Sequence, residues 1–382
     1  MKAPLPLLRF RSHTPSRQGD EGAATDPLAF HRRLPGYAPS RIRELPRAAE
    51  ALGVAQVWAK VESGRLGLPS FKVLGASWGA YRGLVERLGS EPTWTTVEKL
   101  RAAFSPLRPL ALRTATDGNH GRAVAWFARI AGLDATILVP RGTAAARIEA
   151  IGSEGASVEV VDGTYDEAVL RAADCDHERY LVVSDTSWEG YRDIPSRVIE
   201  GYSTIFTEID GQLTTAPTVM PVQLGVGALG AAAARWALSK AAAPALVSVE
   251  PVGAACILLS IARGALTEAP GPHRSIMAGL NCGLPSAVAL PPIAAAFHGF
   301  VAIDDPLACD AMRMLAAEGV EAGETGAAGL AGLLAIRRHA PRLAEHVGLT
   351  SEARVLLLVT EGPTDPEAFE RIVGRRASAV QT

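Results

Sequence analysis

Nowhere among these 382 residues is there an apolar run of the roughly 18 residues that a bilayer span requires. Met1 to Asp20 offers only Pro4 to Leu8 between prolines, arginines and serines, too short for the apolar centre of a secretory leader. Cysteine is scarce as well. Cys175, Cys256, Cys282 and Cys309 are scattered, with no CxxC and no His/Cys cluster at metal-ligand spacing. They read as reduced thiols of a cytoplasmic protein, and no metal is expected. A formal net charge of -2 removes the electrostatic case for nucleic acid or an anionic membrane as partner. No repeat period is visible, and no low-complexity tract beyond alanine enrichment. What remains is an ordinary soluble balance, 48% hydrophobic and 20% charged, in a 40.0 kDa chain long enough for two domains.

The apolar pattern alternates short strands with helices. Strands are expected at Val54 to Val61, Ala135 to Val139, Ser157 to Val161, Tyr180 to Ser184, Thr218 to Leu224, Ala245 to Val249, Phe300 to Ile303 and Arg354 to Val359. Helix-like runs lie between them, among them Leu74 to Leu88, a stretch ending at Ala131, and Ser196 to Ile209. Such interleaving predicts parallel βαβ units. Residues up to about Arg43 read as irregular.

Three stretches carry chemistry. Lys72 stands alone among apolar residues just before a helix whose turns carry small residues (Gly75, Ala76, Ser77, Gly79, Ala80, Gly83), so something bulky is expected to pack there. Apolar neighbours lower a lysine pKa by desolvating its charge, which suits an amine that forms a Schiff base; a solvated lysine near a helix start is the bland alternative. Gly225-Val226-Gly227-Ala228-Leu229-Gly230 links a strand to a helix, where backbone N–H groups and the helix dipole bind phosphate. A dinucleotide is excluded by context, since Val247 or Ser248 stands where a ribose-binding acid belongs. No Walker lysine follows, and a turn without any ligand stays open. Thr116-Asp117-Gly118-Asn119-His120-Gly121 sets an acid and an amide before a helix; Asn119 can donate to an aromatic hydroxylate, although Asp-Gly-Asn is also common turn chemistry. His120 reads as packing or a hydrogen-bond partner. Asp185 and Glu189 supply a catalytic acid and a cap, or caps alone. With a strand-end hydroxyl at Thr360, these parts together describe a pyridoxal 5'-phosphate site: Schiff base, phosphate anchor, ring-hydroxyl support and ring-nitrogen partner.

Glu62 to Ala76, with its Phe71-Lys72 core, resembles the lysine segment of the fold-type-II pyridoxal-phosphate enzymes, the tryptophan synthase β group. Within that group, Thr116 to Gly121, Asp185-Thr186-Ser187-Trp188-Glu189-Gly190-Tyr191, Ile276 to Leu280, Gly323 to Ala327 and Thr360-Glu361-Gly362 are similar to the 2,3-diaminopropionate ammonia-lyases. Related serine/threonine dehydratases usually carry Ser in place of Asp117. The likeness runs from about Leu34 to about Ile372. It departs at Val359 and Pro363, where the family has Ser and Asp, so Thr360 is the nearest ring-nitrogen partner. The resemblance names no counterpart for residues from Met1 to about Phe30.

The resemblance implies an α/β fold of two parallel domains with the cofactor in the cleft between them. A large discontinuous domain (1–87 and 188–382) and a small one (88–187) are expected. It implies α,β-elimination of 2,3-diaminopropionate, via an aminoacrylate, to pyruvate and two ammonia. A serine/threonine dehydratase or a β-replacement synthase is the alternative, and a catalytically silent cofactor-binding protein a third class. Lys72 would hold the cofactor and act as base for the L isomer, and Asp117 as base for the D isomer from the opposite face. Asp185 would protonate the departing β-amine. Asn119, Gly225, Val226, Gly227, Ala228, Leu229 and Thr360 would bind the cofactor. The expected partners are a small diamino acid and a second copy of the chain in a homodimer, in the cytoplasm.

Overall fold

The computed structural model describes residues 26–378; Met1 to Asp20, read above for a leader, lie outside them. Among the described residues the strands are β1 (Arg41–Glu44), β2 (Gln56–Val61), β3 (Ala111–Ala115), β4 (Asp134–Pro140), β5 (Ser157–Val161), β6 (Tyr180–Val182), β7 (Val219–Gln223), β8 (Ala245–Pro251), β9 (Phe297–Ile303) and β10 (Arg354–Val359). They form a six-stranded sheet in the order β1-β2-β10-β7-β8-β9 and a four-stranded sheet in the order β5-β4-β3-β6. No helix of the described residues is long and apolar enough to cross a membrane.

The chain forms two compact units. One comprises residues 39–64 and 205–378 and contains the six-stranded sheet. Its inner strands are buried along their length, as a parallel sheet covered on both faces requires. Val57, Ala59, Val219, Val247, Val355 and Leu357 join the helix Glu324–His339 in one apolar core. The edge strand β1 runs antiparallel to β2. It falls where the sequence reads as irregular, because Arg41, Arg43 and Glu44 leave Ile42 as the one apolar residue of the strand.

The other unit comprises residues 26–38 and 65–204 and contains the all-parallel four-stranded sheet. The expected boundaries at 88 and 187 fall inside it, because the helix Lys72–Leu88 packs on the helices Asn119–Ala131 and Asp193–Gly201. Its central strand β3 gives no apolar run, since Arg113 interrupts it and Pro106 and Pro109 precede it. The single helix expected from Ser196 to Ile209 is two, Asp193–Gly201 and Ser203–Gln212, with Tyr202 between them.

The small residues of the lysine helix have a packing purpose. A Cβ on Gly75 would lie 2.5 Å from the Tyr202 ring, one on Gly79 2.8 Å from Val198, and one on Gly83 2.7 Å from Ile194. The two helices therefore meet along a seam of glycines, at a separation that any side chain would widen. The contact is reciprocal: a Cβ on Gly201 would lie 2.5 Å from the Leu74 carbonyl oxygen and 2.9 Å from the Gly75 Cα, both backbone atoms that cannot swing aside. Gly→Ala inside a helix ordinarily stabilises by about 0.5–1 kcal/mol. Here overpacking, typically about 1–3 kcal/mol, opposes it and wins. Gly201→Ala is therefore expected to lower the thermal unfolding midpoint, and a raised midpoint would disprove the tight seam.

Candidate active site

Lys72 is the first residue of its helix rather than a residue before it, and its N–H donates to Ser70 Oγ at 3.3 Å. Its side chain is 19% exposed, and Nζ forms a short ion pair with Oδ2 of Asp185, which is 4% exposed. Burial alone would lower the lysine pKa, as its apolar sequence neighbours suggest. The Asp185 carboxylate outweighs burial and holds the amine well above the ordinary lysine range. Asp185 is the mirror case: burial would raise its pKa, but the Lys72 ammonium beside it holds it well below the usual carboxylate range. The sequence gives the desolvation of Lys72 but not its partner, which lies 113 residues away.

Asp117 sits in the loop between β3 and the helix Asn119–Ala131. Thr116 Oγ1 accepts from the N–H groups of Gly118 at 2.9 Å and Gly121 at 3.0 Å, which sets the loop on the helix start. Gly118 has φ +150°, and a Cβ there would lie 3.0 Å from Arg147 Cδ, so the Arg147 stem runs along the loop. Asp117 is half-buried. Burial pushes its carboxyl above the ordinary range, against the pull of Arg147 and Lys72. Lys72, Asp117 and Asp185 thus lie within one another's fields in the same unit, the first ionised, the last ionised, and Asp117 the more basic carboxylate.

His120 Nε2 donates to the Val183 carbonyl at 2.8 Å, while Nδ1 lies 4.0 Å from Asp185 Oδ2. Burial lowers its pKa, so the ring is neutral and serves as a hydrogen-bond partner. Tyr165 donates to the other Asp185 oxygen at 3.4 Å. Glu189 is exposed, and the helix Asp193–Gly201 has no side-chain cap, so neither Asp185 nor Glu189 caps it. Sequence reasoning missed Tyr165, Arg147 and Tyr202. Tyr202 is fully buried, its ring lies tilted against that of Phe71 with centroids 4.7 Å apart, and its hydroxyl has no hydrogen-bond partner among the described residues. No spacing rule joins these residues to Lys72; only the fold does.

The six-stranded unit holds the remaining candidates. Gly225, Val226 and Gly227 follow β7, and Gly227, at φ +99°, opens the helix Ala228–Leu238, whose N-terminus has no side-chain cap. A Cβ on Gly225 would lie 3.0 Å from both Cys282 Sγ and the Gly279 carbonyl oxygen. An uncapped helix start behind a glycine turn is anion-binding geometry. Thr360, at the end of β10, is 2% exposed, and its Oγ1 accepts from Gln223 Nε2 at 3.0 Å.

The family model for "Pyridoxal-phosphate dependent enzyme" matches residues 33–361. A diaminopropionate ammonia-lyase of Salmonella typhimurium is 33% identical, over 98% of this chain and 99% of its own length. The crystal structure of diaminopropionate ammonia-lyase from Escherichia coli in complex with D-serine matches with a TM-score of 0.87 at 30% identity, covering 99% of this chain and 100% of that one. The same enzyme in complex with an aminoacrylate-PLP azomethine reaction intermediate matches at 0.83, with 32% identity and 92% of each chain covered. With a fold-type-II α/β architecture and a match along nearly its whole length, the chain belongs to the pyridoxal-phosphate dependent enzymes and, within them, to the diaminopropionate ammonia-lyase family.

Proposed function

We propose that the chain converts 2,3-diaminopropionate and one water to pyruvate and two ammonia, using pyridoxal phosphate. The observation that carries this reading is the pair of half-buried Lys72 with buried Asp185, with the raised carboxyl of Asp117 beside it. The residues present fit the cofactor. The half-buried Lys72 would be available to its aldehyde, the uncapped N-terminus behind Gly225, Val226 and Gly227, with Ala228 and Leu229, to its phosphate, and the buried Thr360 hydroxyl to its ring nitrogen. Asn119 is assigned to the ring hydroxyl. When bound, the cofactor supplies an electron sink that acidifies the substrate Cα.

The chain's own residues supply the proton handling. Lys72 takes the Cα proton of the L isomer, and Asp117, whose raised pKa makes it a better base than a surface carboxylate, that of the D isomer. Ammonia is a poor leaving group as an anion, so the β-nitrogen leaves protonated. Asp185 is too weakly basic to carry that proton while Lys72 is charged beside it. We assign the step to the pair: Asp185 gains a proton as Lys72 loses one, and passes it to the β-nitrogen. Asp117 also discriminates between substrates, since a carboxylate attracts a β-ammonium and a serine hydroxyl offers no charge. We also propose that the chain acts as a homodimer in the cytoplasm, which light scattering and cell fractionation would test.

Pyruvate and ammonia release should be measured from D- and L-diaminopropionate beside D- and L-serine. The diamino acid is expected to lead in kcat/KM. A lead for serine would favour the dehydratase alternative, product formed only with an added nucleophile the synthase, and no turnover of any amino acid a silent protein.

A further inference from the structure

Arg147 stands in the first turn of the helix Ala145–Gly152, where a cation is badly placed. The first-turn N–H groups and the helix dipole favour an anion, and that turn contains no acidic residue. The reason for the arginine therefore lies outside its own helix. Its stem runs along the Asp117 loop: a Cβ on Gly118 would sit 3.0 Å from Cδ, 3.5 Å from Cγ and 3.6 Å from Cβ of Arg147. Three successive stem carbons are thus laid against the residue that follows Asp117. The guanidinium beyond them pulls on the Asp117 carboxyl more strongly than Lys72 does.

The other titratable groups facing Asp117 do not replace it. Lys72, from the helix Lys72–Leu88, is bound to Asp185, which follows β6 and pushes Asp117 the opposite way. His120, from the helix Asn119–Ala131, is held neutral by burial. Lys72 also changes its charge when it serves as a base, whereas a guanidinium keeps its proton at any working pH. We propose that Arg147 is a positioning residue for the D isomer: anchored along Gly118, its guanidinium keeps the half-buried Asp117 carboxyl ionised and ready to accept the Cα proton. Burial alone would leave that carboxyl protonated over more of the pH range. The inference rests on the assignment of Asp117 as the D-specific base and adds the residue that keeps it one.

The test follows kcat/KM for D- and L-diaminopropionate against pH in the wild-type holoenzyme and in Arg147→Met. The two isomers titrate identically in solution, so a difference between their profiles belongs to the protein. In Arg147→Met the acid limb of the D profile should move to higher pH. Below that limb the D-to-L ratio should fall by about 10-fold or more, the lower end of what one nearby opposite charge does for a carboxylate. The L profile, whose base is Lys72, should keep its acid limb, and Arg147→Lys, which retains a charge, should restore most of the ratio. A second readout needs no turnover. The infrared C=O stretch of the protonated Asp117 carboxyl, identified by its loss in Asp117→Asn, should persist to higher pH in Arg147→Met than in the wild type. A band and a ratio that both stay in place would overturn the inference and leave Asp117 its role. Equal losses in Arg147→Met and Arg147→Lys, or a raised KM for both isomers with the limbs unmoved, would make Arg147 a packing or substrate-binding residue and overturn it as well. A band that moves without the ratio would uphold the grip of Arg147 on Asp117 and end the reading of Asp117 as the D base.

Discussion

Lys72→Ala protein is expected to bind pyridoxal phosphate without the visible absorption of a lysine imine and to lose turnover of both isomers by more than about 10³-fold, since attachment and one of the two bases disappear together. The same substitution has a second consequence that does not depend on catalysis. In the wild type, the folded-state pKa of Asp185 is depressed, so its pairing contributes stability above the unfolded carboxylate pKa and loses it as pH falls through the folded value. Without Lys72 the buried carboxylate is uncompensated, at a cost of about 3–5 kcal/mol for breaking such a pair. Burial then raises the Asp185 pKa, and the variant loses stability as pH rises. The variant should therefore lie furthest below wild type at neutral to alkaline pH and recover towards acid, and Asp185→Asn added to Lys72→Ala should restore most of the midpoint. A persistent imine band would move the Schiff base to another lysine. Lys60 is fully buried against Glu208, and Lys240 pairs with Asp210, so each would first have to leave a carboxylate.

Asp117→Asn should separate the isomers. The amide keeps the size and hydrogen bonding of the loop but cannot accept a proton, and losing a positioned general base costs about 10²–10⁴-fold. That loss should fall on D-diaminopropionate, with the L reaction retained through Lys72. Asp185→Asn, in contrast, should slow both, because the β-nitrogen departs in either case. Measuring kcat/KM for two isomers in two variants gives four numbers whose pattern decides the roles. The pH profile adds a sign. A base works ionised, and burial raises the Asp117 pKa, so the D reaction should fall off on the acid side at a higher pH than an ordinary carboxylate would give. Equal losses for both isomers in Asp117→Asn would mean that the carboxylate holds the β-ammonium and is not a base; little loss for either would leave Asp117 a turn residue.

What the sequence revealed and what it hid divide along physical lines. Lys72, the glycine loop and the Asp117 loop are local: each announces itself by residue types a few positions apart beside a strand or helix. The apolar inner strands of the larger sheet are legible for the same reason. β1 and β3 are not, because charge sits within them and their burial or pairing comes from distant segments. The protonation of Lys72 is the clearest failure. Its neighbours in sequence are apolar and argue for a lowered pKa, whereas its neighbour in space is a carboxylate that reverses the direction. Tyr202 and Arg147 touch the site through helix packing, for which no local motif exists.

The glycine seam between the helices Lys72–Leu88 and Asp193–Gly201 also limits how this part of the molecule can change. Space there is a fixed quantity shared by two backbones: a methyl group gained on one side has to be given up on the other. Gly79→Ala alone is expected to force the helices apart at Val198, and Val198→Ala, harmful alone as a cavity, should relieve it. Substitutions along the seam are thus admissible as exchanges and not singly. Because the seam begins one turn from Lys72, a failed exchange would be felt at the amine before it was felt in the sheet.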